Sequence, residues 1–190
     1  GTPGGGGSGA PTGVMRPADG NGGGGVQTDG GAGPVRLSDA EIASVSMAAN
    51  RGEVQENTVA LQRAQRDDVR SFAQEMVDMH NAALQRQMAL AARLGVAPTD
   101  NPTTQMLNRN AEMVVEMLEA ASPDEFDRVY LRSQVEAHQM VLSLIDDSLL
   151  PSVQAAPLRD ELTRMRATVE MHLDRARALA FDVAGTAGDE

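Results

Sequence analysis

The sequence predicts an all-α protein, an antiparallel four-helix bundle with one extra short helix, and three observations predict it. Apolar residues recur at alternating steps of four and three, the signature of a seam facing partner helices. Cap and proline signals cut the chain into bundle-length segments. No stretch shows the strict alternation of a half-buried strand. Aromatics are only 2% of residues, so Leu, Val, Ala and Met must build the core, with the eleven methionines filling gaps.

Each element has a local cause. The first 35 residues hold 15 of the 19 glycines, and residues 1–36 read as a flexible linker with too little apolar surface to offset ordering entropy. Ser38 and Glu41 form a capping box, flanked by Leu37 and Ile42, and open a helix over 39–65. Asp67 or Asp68 should cap the second, 68–94, which ends at Gly95 as a left-handed C-cap with Pro98 beyond. Asn101-Pro102 starts the short helix 102–120. Ser122-Pro123-Asp124-Glu125 combines an N-cap, a first-turn proline and a capping-box glutamate, and starts 123–149, which Pro151 stops. Pro157 fits the first turn of the last helix, 157–180. A bundle over 37–181 and a disordered tail over 182–190 follow.

A formal net charge of −11 opposes bulk electrostatic binding to nucleic acid or an anionic membrane. Without cysteine, disulfides, thiolate metal sites and cysteine nucleophiles are excluded. No Gly-x-Ser-x-Gly elbow or phosphate-binding loop is present. No apolar run approaches the roughly 20 residues that span a bilayer. A start at Gly1 and a Gly-rich leader lead us to expect an exported form with an upstream signal peptide, with or without a lipidated cysteine at its end as an anchor.

All three histidines lie on heptad seams. His80 follows Val69, Ala73 and Met76, and precedes Ala83, Gln87, Leu90 and Leu94. His138 sits among Leu131, Val135, Leu142, Ile145 and Leu149. His172 sits among Leu158, Leu162, Met165, Val169, Ala176 and Leu179. Counting from the turns at about 1.5 Å per residue puts them, and Glu53 on the first helix, near mid-height of the bundle.

A dinuclear carboxylate site needs a Glu-x-x-His step, but the residues three before each histidine are Val77, Val135 and Val169. Asp78, Glu136 and Glu170, two before, point away from the core. What remains is Glu53, His80, His138 and His172, a ligand set for one Zn, Mn, Fe or Cu ion, with Glu56 as a weaker second oxygen ligand. Coordination needs neutral imidazoles and should weaken below about pH 6.5. The alternative is a hydrogen-bonded polar network in which Glu53 pairs with imidazoles. Met76 and Met165 beside histidines also suit Cu(I), although core methionine is the commoner role.

Two segments carry a family resemblance. Phe72-Ala73-Gln74-Glu75-Met76-Val77-Asp78-Met79-His80, and Phe126-Asp127-Arg128-Val129-Tyr130 followed by Gln134-Val135-Glu136-Ala137-His138, resemble a bacterial family of unknown function labelled "predicted outer membrane protein". Gly52-Glu53-Val54 and Val169 to Leu173 fit the same pattern, so the resemblance covers Leu37 to Ala180. It implies a ferritin-like fold, export to the periplasm or outer membrane, and Glu53, His80, His138 and His172 at motif positions. One departure is Met79, where the family carries Asp. If that Asp orients the imidazole, the role here is vacant or passes to Asp78.

The functions left open are a binding or structural envelope protein with an interior metal site, a metal-dependent redox or hydrolytic enzyme, and a bundle that acts only through a protein partner. Membrane contact would come only through the lipid anchor.

Overall fold

The computed structural model describes residues 36–186, all within one compact unit, Val35–Glu190. The linker predicted over residues 1–36 therefore lies almost wholly outside the described residues, as does the end of the tail. Five helices and no strand are present among the described residues: α1 (Asp39–Arg63), α2 (Asp67–Leu94), α3 (Pro102–Ala120), α4 (Pro123–Leu144) and α5 (Ala156–Thr186). Among the described residues no helix is long and apolar enough to cross a membrane.

The local signals act at most ends. Ser38 and Glu41 make the reciprocal capping box of α1. Gly95 takes the left-handed conformation, φ 66°, and the amides of Gly95 and Val96 donate to Ala92 and Ala91, closing α2. Asn101 Oδ1 accepts the Thr104 amide at 2.9 Å and caps α3.

Two ends differ from expectation. The N-cap of α2 is Arg66, without a side-chain cap of its own. Asp68 turns back to Arg66, and Asp127 of α4 accepts the amides of Gln65 and Arg66, both at 2.9 Å. At α4, Ser122 makes no side-chain cap bond, although its hydroxyl donates to Glu125.

Pro151 does not end the fourth helix where expected. The chain passes through a π-helical turn, Ile145–Leu149, and a last α-turn, Leu150–Ser152. Proline has no N–H and crowds the carbonyl four residues back, so a wider turn just before it relieves that crowding. Asp39 then holds the following turn, accepting the amides of Gln154 and Ala155 at 2.9 Å each. The last helix also runs on to Thr186, past the predicted 180.

Hydrogen bonds at the ends give the direction of each helix. Ser44, near the start of α1, donates to Asp100 and accepts from Thr104 at the start of α3. Arg63, closing α1, donates to the carbonyls of Leu118, Glu119 and Ala121 at the end of α3. So α1, α3 and α5 run one way, and α2 and α4 the other. The third helix is no appendage. It is the full-length return that lets α2 and α4 run parallel, and it packs along α1. At Gly52 of α1 an added Cβ would lie 2.9 Å from the Ala111 Cβ, so glycine sets that close approach.

The interior is layered. One apolar cluster, with Ile42, Val45, Ile145, Leu149 and Leu162, fills the end where α1 begins. A second, with Phe72, Leu118, Phe126, Tyr130 and Leu131, fills the opposite end. Between them lies a layer of buried polar groups.

Candidate metal centre

That middle layer begins on α1, where Ser46, Asn50, Glu53 and Asn57 are all buried. Their spacing of four, three and four keeps them on the inward face. From α2, α4 and α5 come His80, His138 and His172, each 5% exposed or less. Their ring centroids lie 6.0, 5.2 and 5.5 Å apart, edge to face. Each offers one ring nitrogen to a group whose atoms lie within 4.8 Å of one another. The carboxylates that the helical rotation turned outward, Asp78, Glu136 and Glu170, are exposed.

One nitrogen of each ring is held by the protein. Asn50 Nδ2 donates to the Ser46 carbonyl and to Gln87 Oε1, which fixes Asn50 Oδ1 as the acceptor for His80 Nδ1 at 2.8 Å. His138 Nδ1 donates to the Gln134 carbonyl at 2.8 Å. His172 Nε2 lies 3.3 Å from Met79 Sδ, an acceptor but no donor. The other nitrogens, His80 Nε2, His138 Nε2 and His172 Nδ1, are buried without a hydrogen-bond partner. In a neutral ring each held N–H leaves the opposite nitrogen with a lone pair, so three bare acceptors stand in the buried interior, where polar groups ordinarily find partners. Outer bonds that fix the tautomer and orient the ring are what a metal-ligating histidine uses.

The carboxylates stand differently. Glu53 Oε1 is 3.9 Å from His138 Nδ1, the nitrogen already bonded to Gln134, while Glu53 Oε2 accepts from Asn57 Nδ2 at 3.0 Å. Tyr130 in turn donates to Asn57 Oδ1. Glu53, Asn50, His80 and His138 line a small cavity of about 10 Å³ for the centre of a water-sized sphere, room for one water or ion. Glu56, as deeply buried, is not among the residues lining that cavity and accepts from Gln134 Nε2 at 3.2 Å. The structure thus brings the three histidines together, sets Glu53 beside two of them and leaves Glu56 outside.

Burial governs the charges. It pushes the His80 imidazole well below its ordinary value, with His138 and His172 adding to the effect. It lowers His172 to about 3, helped by His138 and Arg175. His80 and His172 are therefore neutral and ready to coordinate without losing a proton at pH 6. The expected weakening below about pH 6.5 does not extend to these two. Glu56 goes the other way, raised to about 9 by burial and then by the neighbouring Glu53.

Residues 25–179 match a family described as a domain of unknown function, DUF4142. The chain belongs to that family. No curated protein and no solved structure matches it.

The matched stretch spans α1 to α4 and most of α5, and so includes every residue of the polar layer. In this DUF4142 chain it is Asn50 that holds the His80 imidazole; the Met79 thioether faces His172, while Asp78 is exposed and accepts from Gln74. Sequence reasoning missed Asn50, Asn57, Gln87 and Gln134 as partners. A signal existed for the first two, since polar residues stepping four and three with Glu53 mark an inward polar stripe. Gln134 stands four before His138, on the same helical face. Nothing in the sequence pointed to Met79 as a contact of His172.

Proposed function

We propose that this chain is an exported envelope protein whose helical bundle holds one divalent metal ion on His80, His138 and His172. The observation that carries the reading is the convergence of three buried imidazole rings, each with one nitrogen fastened and the other bare. A tetrahedral ion about 2.0–2.1 Å from each nitrogen would hold them roughly 3.4 Å apart. Binding would draw the 4.8 Å group inward by about 1 Å on that geometry. Glu53 is the carboxylate best placed to offset the ion's charge or take the fourth position, and Glu56 the weaker one. Imidazole ligands favour Zn²⁺, Cu²⁺ and Fe²⁺ over Mn²⁺.

The fold reading goes with it. Two parallel inner helices joined by a full-length return match the single long crossover of ferritin-like bundles. Placement in the periplasm or at the outer membrane rests on the Gly-rich leader, suited to a tether, and on the resemblance to the "predicted outer membrane protein" family. A second reading, a metal-dependent enzyme, is favoured by one observation: three protein nitrogens leave a fourth position for water or substrate.

The test is thermal melting with Zn²⁺, Cu²⁺, Fe²⁺ or Mn²⁺ after chelator treatment. At a hundredfold excess over Kd a ligand adds about 2.7 kcal/mol, or roughly 5–10 °C in Tm for a chain of this size. His172→Leu should abolish the rise. A melting curve indifferent to all four ions sinks the metal reading and leaves a polar core network.

A further inference from the structure

A second cavity lies on the other side of Glu53, enclosed by α1, α3 and α4. Its volume is about 310 Å³, at the lower end of small-molecule sites. The walls are apolar and rich in methionine, with Met113, Met117 and Met140, whose flexible thioethers adapt to varied shapes. The exposed Met113 and Glu136 stand at its rim. Glu53 and Glu56, 6% and 5% exposed, are its buried polar groups on α1, and no basic residue lines it.

These carboxyls lack the partner that buried acids ordinarily have. The single ion-pair contact of either among the described residues is the 3.9 Å approach of Glu53 to His138. Each accepts one amide, from Asn57 and Gln134 respectively. Buried carboxyls without a cation are costly to ionise in a low-dielectric interior, and a cationic head beside them would let both take their charge. An apolar cavity ending on them offers the complement of a molecule with a cationic head and an apolar body. A bare metal ion would leave the apolar wall unused.

We propose that this cavity binds a small ammonium-headed amphiphile, its head on Glu53 and Glu56 and its apolar body along Met113, Met117 and Met140. The assignment stands apart from the metal site and does not require an ion there. The shared residue, Glu53, would put a bound head next to the histidine layer.

Calorimetric titration of the full chain with hexylammonium, 1-hexanol and hexanoate tests it. Hexylammonium should bind one to one and at least tenfold tighter than hexanol, with hexanoate weakest. Glu53→Gln with Glu56→Gln should bring the amine and the alcohol to within about twofold, with helicity checked by circular dichroism. Ala137→Phe, on the half-buried α4 wall, should weaken hexylammonium at least tenfold while Glu53 and Glu56 stay in place. It serves alone if the double variant does not fold. Equal binding of amine and alcohol to the unaltered chain, amine binding untouched by Ala137→Phe, or no binding of hexylammonium at millimolar concentration overturns the proposal.

Discussion

The aromatic cluster at one end of the bundle and the histidine layer at its middle are equally buried but held by different physics. Phe72, Phe126 and Tyr130 lie in a cluster of buried apolar side chains, and the two phenylalanines stand 6.2 and 6.3 Å from the Tyr130 ring, centroid to centroid. Non-directional burial stabilises that end. In the middle layer, geometry is set by directed bonds, and three nitrogens have none. One layer contributes stability by its mere presence. The other is a set of groups arranged for something to arrive.

Truncation separates the two layers most sharply, in chelator so that no ion contributes. Phe72→Ala should cost about 3–5 kcal/mol by the lost burial and the cavity left behind, measured by urea denaturation. A loss under about 1 kcal/mol would mean that this end collapses freely and anchors nothing.

A smaller effect is expected at Glu56. Its folded pKa, about 9, lies above the ordinary 4.5, so between those values the folded state holds a proton that the unfolded state has lost. Its contribution is full below pH 4.5 and disappears as pH rises toward 9. His172 works in the opposite sense, since its folded value of about 3 lies below 6.5. Its contribution is full above pH 6.5 and is lost as pH falls toward 3. Glu56→Gln should therefore stabilise the metal-free protein by about 1–3 kcal/mol at pH 8 and by almost nothing at pH 4.5. An equal effect at both pH values would show that Glu56 keeps its charge in the fold.

The smallest effect belongs to His172. Without metal, His172→Leu exchanges an orphaned polar ring for an apolar group of similar size, and stability should change by less than about 1.5 kcal/mol. A loss comparable to that of Phe72→Ala would make His172 a structural residue and erase the contrast between the layers.

Most of the helical frame is legible in the sequence because its causes are local. Ser38, Gly95, Asn101, Pro102 and Pro123 act within a turn of their own positions. The histidines were legible too, since a heptad seam states which residues face inward. Their partners were not. Asn50 reaches His80, and Met79 reaches His172, through the relative rotation of two helices, which no single-helix pattern encodes. In α4, Val141 is buried and Leu142 only partly so, a one-residue rotation that a seam drawn on an ideal helix misses. The start of α2 eluded local reading for the same reason, because its amides are satisfied by Asp127, some 60 residues onward.

That fastening bears on how the chain folds. Asp127 closes the turn between the first two helices, and Asp39, through contacts spanning 115 and 116 residues, closes the turn between the last two. Each hairpin has a clasp of its own, Arg70 on the Ala64 carbonyl and Arg159 on the carbonyls of Leu150 and Val153, and each turn is further secured by a carboxylate from the opposite half of the chain. A hairpin that forms early therefore lacks part of the hydrogen bonding at its bend until the other half docks. Such dependence on distant contacts slows a helical protein relative to one with self-sufficient hairpins.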